Sequence, residues 1–356
     1  MSSSRGIRDW IEERAGLASI QDFLRRKKVP RNKHTVWLYA GSAIIVLFAV
    51  QALTGIALAF YYRPTLEEAN KSVARIAGEL PWGWLLRGVH CWSATLLIAL
   101  VFVHSLSVWV LKSYRKPREL TWMTGVLLLA LTLGFGFTGY LLPWDSLSLA
   151  ATKVGTDIPR SLPVAGSLVT EFLRGGEDVS GDTLTRFFTL HVCVLPFLVV
   201  FLAGVHLYIV QKHGMSLPVG ADPAEERARE IPFWPNFVYR EMVVWLLLLA
   251  SLATLAVLFR PSLGKPADLM APAPEGIRPE WYFLFLFQTL KIFPSSILGV
   301  DGDTVAVACM LAAGTLLFFL PLFDSRPAEG KGKVITALAW VFLAYAVGMT
   351  IWSLVT

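Results

Sequence analysis

Seven stretches of the chain, at roughly 36–60, 84–111, 120–142, 187–211, 241–259, 304–323 and 334–354, are almost uninterruptedly apolar. Each reaches or approaches the ~18–20 residues that a helix needs to cross ~30 Å of hydrocarbon. In that medium every backbone N–H and C=O must be bonded within the protein, which leaves only helices or closed barrels. Barrel strands would alternate polar and apolar residues with period two, and these stretches do not. The expectation is an all-α integral membrane protein of about seven transmembrane helices. Charged residues make up only 16% of the 356, against about 25% in soluble domains, and they gather between the runs.

Their distribution gives an orientation. With the N-terminus inside, 20 of the 32 Lys and Arg residues fall on the inner side, led by the tract RRKKVPRNK just before the first span. The positive-inside rule then places the N-terminus in the cytoplasm and, after seven spans, the C-terminus outside. The net charge of +6 expresses this asymmetry and points to no nucleic acid. The chain is expected in the cytoplasmic (inner) membrane, with lipid around it. No cleavable signal peptide is seen, and IRDWIEERAGLASIQDFL reads as an amphipathic helix on the inner surface. Cys91, Cys193 and Cys309 lie in apolar runs and fit neither a disulfide framework nor a C-x-x-C-H haem attachment site. The polar stretch QKHGMSLPVGADPAEERAREIPFWPN separates a four-span unit, residues 1–217, from a three-span unit, residues 218–356. The longest outer loops, 143–186 and 260–303, hold short apolar pieces suited to surface helices.

Four of the six histidines sit inside spans: His90 and His104 in the second, His191 and His206 in the fourth. Their spacings of fourteen and fifteen residues correspond to rises of about 21 and 22.5 Å and return each partner to nearly the same helix face. The two spans run in the same direction, so His90 is expected level with His191, and His104 with His206. Facing imidazoles at two depths suit two haem irons, each held from both sides, an arrangement that favours electron transfer over gas binding. A lone intramembrane histidine is as readily a polar contact between helices; two pairs matched in depth are not so easily explained. Gly41 and Gly55 in span one, and Gly125 and Gly139 in span three, repeat the fourteen-residue spacing. Bare backbone at those points would let a porphyrin approach, although small residues also serve ordinary helix packing. Arg87, Arg186 and Arg118 lie where they can pair with haem propionates or snorkel to the interface.

These residues carry a resemblance. RGVHCWSA, KPRELTW, GYLLPWD, TLTRFFTLH and RPEWYF together resemble the cytochrome b/b6 family, the haem-bearing core of quinol–cytochrome c and plastoquinol–plastocyanin reductases. The resemblance implies a four-helix cytochrome fused to a three-helix companion. The gap of fifteen, the PWD ending at Asp145 and the three-span second unit favour the chloroplast-like branch. That branch carries an extra haem on a cysteine early in span one; Tyr39 stands at the matching position, so no covalent third haem is expected. Two noncovalent b-type haems are implied, with quinol and quinone as substrates. Implied partners are a Rieske-type iron–sulfur protein, a cytochrome c-type subunit or soluble acceptor, and a second copy of the chain.

By the same resemblance, Glu280 of RPEWYF takes a proton from quinol oxidised at the outer face, with Pro279 stiffening the turn and Tyr282 supporting the quinone. Taken alone, the segment reads better as a helix start with a capping acid. Quinone reduction on the inner side would use Asp22, Lys212 and His213 as proton donors. The implied cycle drives electrons inward and translocates protons. An inward electron crossing about two-thirds of a membrane at 100 mV works against roughly 1.5 kcal/mol, so the inner haem has to be the better acceptor. The rival readings are a di-haem anchor of a quinone-linked dehydrogenase or hydrogenase, a transmembrane reductase, and a haem-free transporter. The anchor leaves the second unit unexplained. The reductase would need a nucleotide- or flavin-binding domain, and none is visible.

Overall fold

The computed structural model describes residues 6–31, 34–163, 165–216, 229–272, 274, 276–324 and 331–356. Among the described residues, six helices are long and apolar enough to cross a membrane: Thr35–Ala59, Gly83–Val110, Glu119–Leu141, Gly181–His213, Phe233–Leu258 and Lys333–Val355. They are spans one to five and seven. Span six, Gly302–Phe318, has only 17 residues. It is shorter than the apolar run predicts, because the chain leaves helical geometry at Phe319 and resumes as the single turn Leu320–Phe323 around Pro321. Proline has no N–H to continue the ladder and its ring clashes with the preceding turn. The junction at 217/218 between the two expected units lies outside the described residues.

Span one packs along span two, and span three along span four, while contacts between spans two and three join the pairs into a bundle. Span five lies against spans one and two, span six against span three, and span seven against span two. An apolar cluster of Leu47, Leu97, Val101 and Leu252 fills the space between spans one, two and five. Many large side chains point outward, such as Phe197, Phe201, Leu246 and Leu247, as a lipid-facing surface requires.

The loops 143–186 and 260–303 are structured, as their apolar pieces suggest. Helices Ser146–Arg160 and Gly166–Arg174 occupy the first, and a 3₁₀ turn Trp281–Phe283 leads into the helix Leu284–Ile292 in the second. Asp145 joins the two loops. One carboxylate oxygen accepts from the Ser148 N–H at 2.8 Å and caps a helix, while the other accepts from the Gly264 N–H at 3.2 Å. Where the sequence suggests one amphipathic helix, two helices, Ile7–Ala15 and Leu17–Arg26, meet at Gly16 and precede span one. A two-residue strand pairing, Lys28–Val29 with Ile231–Pro232, ties that segment to the start of span five.

Span ends in lipid leave carbonyls without partners. Here the bundle supplies donors to the second unit. The Trp92 indole donates to Phe259 O and the Trp122 indole to Leu317 O, both at 2.7 Å.

Candidate functional site

Span four departs from α geometry at the place where the sequence puts a histidine. Leu190–Val194 forms one wide π turn, followed by Pro196, which cannot donate to the carbonyl four residues back. A π turn takes up about one extra residue without adding a turn. The fifteen-residue gap from His191 to His206 therefore behaves like the fourteen-residue gap of span two. This supersedes the ideal-helix estimate and accounts for two unequal spacings serving matched levels.

His90 and His191 face each other with ring centroids 6.4 Å apart and planes inclined by 70°. Two metal–nitrogen bonds of about 2 Å each plus the depth of two imidazoles require roughly that separation. His104 and His206 lie within electrostatic reach of each other at the other level. Among the described residues no three His, Cys, Asp or Glu side chains gather as a metal cluster. Histidines that come only in facing twos suit a metal whose equatorial ligands arrive with it, as iron does in a porphyrin.

The glycines meet these rings. A Cβ on Gly55 would stand 3.3 Å from His90 Cε1, on Gly125 3.4 Å from His206 Cε1, and on Gly139 only 2.6 Å from His191 Cε1. Gly41 has nothing within 4 Å of that position. Three threonines that sequence reasoning missed complete the arrangement. The Thr54, Thr124 and Thr138 hydroxyls pair with Nδ1 of His90, His206 and His191 at 2.9, 2.9 and 3.1 Å. Each threonine immediately precedes one of the glycines, a signal legible in the sequence. A hydroxyl holding Nδ1–H leaves Nε2 with its lone pair free to bind a metal. The donor set and the bare backbone beside it fit a haem at each level.

This geometry has close counterparts. The cytochrome b/b6/petB family model matches residues 24–214, and the cytochrome b (C-terminal)/b6/petD model matches residues 266–355. The chain belongs to the cytochrome b/b6 family. It is 42% identical over 346 residues to the cytochrome bc complex cytochrome b subunit of Chlorobaculum thiosulfatiphilum, covering 97% of this chain and 80% of that one. Cytochrome b6 of Gloeobacter violaceus is 41% identical over 213 residues, 60% of this chain and 99% of its own. A solved structure titled hyperthermophilic respiratory Complex III superposes with TM-score 0.87 at 29% identity, covering 98% of this chain and 91% of that one. The chain is thus a cytochrome b subunit of a bc-type quinol oxidoreductase complex, multi-pass in the membrane, in a family that binds b-type haem.

The arginines are occupied differently than the sequence suggests. Arg87 donates to Pro261 O at 2.6 Å and Ser262 O at 2.8 Å, closing the C-terminal end of span five. Arg118 donates to the carbonyls of His213, Gly214 and Met215, closing the C-terminal end of span four. Arg186 donates to Phe172 O and lies over the Phe172 ring. Each guanidinium has five N–H donors, so these contacts leave further donors for an anion.

Glu280 stands at the start of the 3₁₀ turn, but its side chain makes no helix-capping bond. Burial pushes its carboxyl above the usual range, opposed by the backbone N–H of Trp281. Tyr282 is buried against span three, where a Cβ on Gly136 would stand 2.6 Å from its hydroxyl. Its phenol is raised by burial and by the charges of Glu280 and Tyr140. Pro279 directly precedes Glu280 in the loop and is half-buried.

The proton donors expected for the inner side are dispersed. Asp22 makes an exposed ion pair with Arg26 at 3.6 Å. His213 follows Lys212 at the end of span four, and its Nδ1 is buried without a partner among the described residues. The structure instead brings Lys27 Nζ to Gln211 Oε1 at 2.7 Å. Tyr39, at the position where the chloroplast-type relatives carry cysteine, stacks on Phe237 with centroids 5.1 Å apart.

Proposed function

We propose that this subunit oxidises quinol at its outer face, passes one electron across the membrane to an inner quinone site, and works in a Q cycle coupled to proton translocation. The observation that carries this reading is the facing of His90 and His191 at 6.4 Å above a second histidine level on the same helices. His90 and His191 would hold the outer haem iron through Nε2, and His104 and His206 the inner one. When bound, the two noncovalent haems supply one-electron carriers at two depths, linking the outer face to the inner.

The chain's own residues supply the rest. Gly55, Gly125 and Gly139 keep the helix backbones bare beside the ligand rings, and Gly41 leaves open space at the fourth position. Arg87, Arg118 and Arg186 place positive charge at the span ends where acidic groups of a cofactor would emerge. Glu280, desolvated in a loop with Tyr282 and Pro279, accepts a proton from quinol and releases it to the outer water. Burial tunes a carboxylate toward neutral pH, where proton transfer is most effective. Asp22, Lys212 and His213 return protons on the inner side.

The quinol's other electron leaves to a Rieske-type iron–sulfur protein and on to a cytochrome c-type subunit or soluble acceptor. The chain assembles as a homodimer in lipid, with its N-terminus cytoplasmic and its C-terminus outside. Residues 1–217 form the cytochrome unit and 218–356 the companion unit. A di-haem anchor of a quinone-linked dehydrogenase or hydrogenase would need the histidines and would leave Glu280 and the second unit without a role.

The test is proton release from the complex reconstituted in vesicles and supplied with quinol and a c-type acceptor. A Q cycle releases twice as many outer protons per acceptor electron as linear oxidation does. The linear ratio, or no reduction of the acceptor at all, contradicts the proposal.

A further inference from the structure

Hydroxyl partners are shared unequally between the two histidine levels. Thr54, Thr124 and Thr138 donate to the carbonyls four residues back, those of Val50, Leu120 and Gly134, at 2.7, 2.9 and 2.8 Å. With its proton committed there, each hydroxyl can only accept from the imidazole, so Nδ1 of His90, His206 and His191 carries the hydrogen. The fourth glycine of the pattern, Gly41, follows Ala40, which has no hydroxyl. The buried Nδ1 of His104 accordingly has no hydrogen-bond partner among the described residues. The outer level thus has two partnered imidazoles and the inner level one.

The imbalance has an electronic consequence. An Nδ1–H bond to an oxygen makes the imidazole more basic at Nε2. A more basic axial ligand stabilises ferric over ferrous iron and lowers the reduction potential, one of the ways a protein tunes a haem. An inward electron moves against the membrane field, so the inner site has to be the better acceptor. The side with the unpartnered ring is the inner one.

We propose that Thr54, Thr124 and Thr138 are positioning residues that set the two haem potentials, and that Ala40, by leaving His104 unpartnered, raises the inner potential above the outer. This rests on the reading of two bis-histidine haems and adds the cause of their difference.

The experiment is a potentiometric titration of the purified complex followed by visible and low-temperature EPR spectra, with haem quantified per chain. Thr54→Val keeps the branched shape and removes the hydroxyl. Its expected effect is a rise of the outer midpoint alone, shrinking the equilibrium constant between the two levels several-fold; tenfold corresponds to ~59 mV for a one-electron couple. Thr54→Ser is expected to restore the wild-type value, which a purely packing role would not predict. Thr138→Val should repeat the rise. Ala40→Thr, beside the open space at Gly41, should lower the inner midpoint, and it decides the matter if the valine variants lose haem. Two haems retained with both midpoints unmoved in Thr54→Val and Thr138→Val, or an unmoved inner midpoint in Ala40→Thr, overturns the inference and leaves the two-haem reading intact. A wild-type chain with fewer than two haems overturns that reading itself.

Discussion

The four-span bundle and the three-span unit beside it place their chemistry by different means. In the bundle, every candidate ligand sits on a span at a spacing fixed by helix geometry, and three of the four, His90, His191 and His206, meet a threonine and a glycine on the neighbouring span. In the second unit the spans carry no histidine, and Glu280 stands in the loop between them. The joint between the two is polar. Tyr114 and Arg115 of the bundle hold Asp324 at 2.6, 2.7 and 3.0 Å, with the Asp324 side chain only 1% exposed. Rigid spans can hold a cofactor's ligands to within fractions of an ångström, whereas a loop carboxylate stands where burial and water can both reach it. The difference lies between holding and transferring.

The sharpest way to break this contrast is Glu280→Gln. It should cut quinol oxidation by about 10²–10⁴-fold, the usual worth of a general base, without changing haem content. Glu280 must be ionised to accept a proton, and burial raises its pKa. Wild-type activity should therefore rise with pH through an acid limb displaced upward from ordinary carboxylates. Loss of that limb in Glu280→Gln is the check, and a variant retaining the wild-type profile refutes the assignment.

Next comes the joint. Asp324→Asn leaves Arg115 half-satisfied in a buried setting and should cost about 3–5 kcal/mol, read as a lower thermal midpoint in detergent. Burial works against the Asp324 carboxylate, yet hydrogen bonds from Arg115 and Tyr114 outweigh it and hold the pKa below the usual range. A depressed folded-state pKa stabilises above the unfolded value near ~4 and is lost as pH falls through the folded one. The wild-type advantage over Asp324→Asn should be constant at neutral pH and vanish only in strong acid.

The smallest effects separate positions within the bundle. Gly139→Ala puts a methyl 2.6 Å from His191 Cε1, whereas Gly41→Ala meets nothing within 4 Å. The first should lower outer haem occupancy and the second should leave inner occupancy close to wild type, measured as haem per chain. Equal losses would mean that the glycines serve something other than ligand clearance.

The bundle was largely legible because helix period converts sequence spacing directly into depth and face. His90 with His191, and three of the four glycines, lie where that arithmetic puts them. The fifteen-residue gap was not fully legible, since the π turn at Leu190–Val194 depends on Pro196 and on packing around it. The threonines could have been found, for Thr-Gly recurs three times, but which hydroxyl meets which ring is a matter of tertiary register. Sequence offers Arg87, Arg118 and Arg186 as partners for propionates or as snorkelling residues, and gives no hint that each closes the end of a backbone segment. Glu280 was the hardest. Nothing in RPEWYF alone distinguishes a capping acid from a buried carboxylate, and only burial with the absence of a capping bond separates them. Span six fell short of its apolar run because Pro321 breaks it.

The central claim is that one bundle holds two haems at two depths. The measurement that tests it most directly is a potentiometric titration of reduced-minus-oxidised spectra on the purified wild-type chain beside His90→Ala and His104→Ala, with haem counted per polypeptide. The account predicts two noncovalent b-type components titrating separately in the wild type, with the lower-potential one missing from His90→Ala and the higher-potential one from His104→Ala. A single component in the wild type, or loss of the same component from both variants, would contradict it.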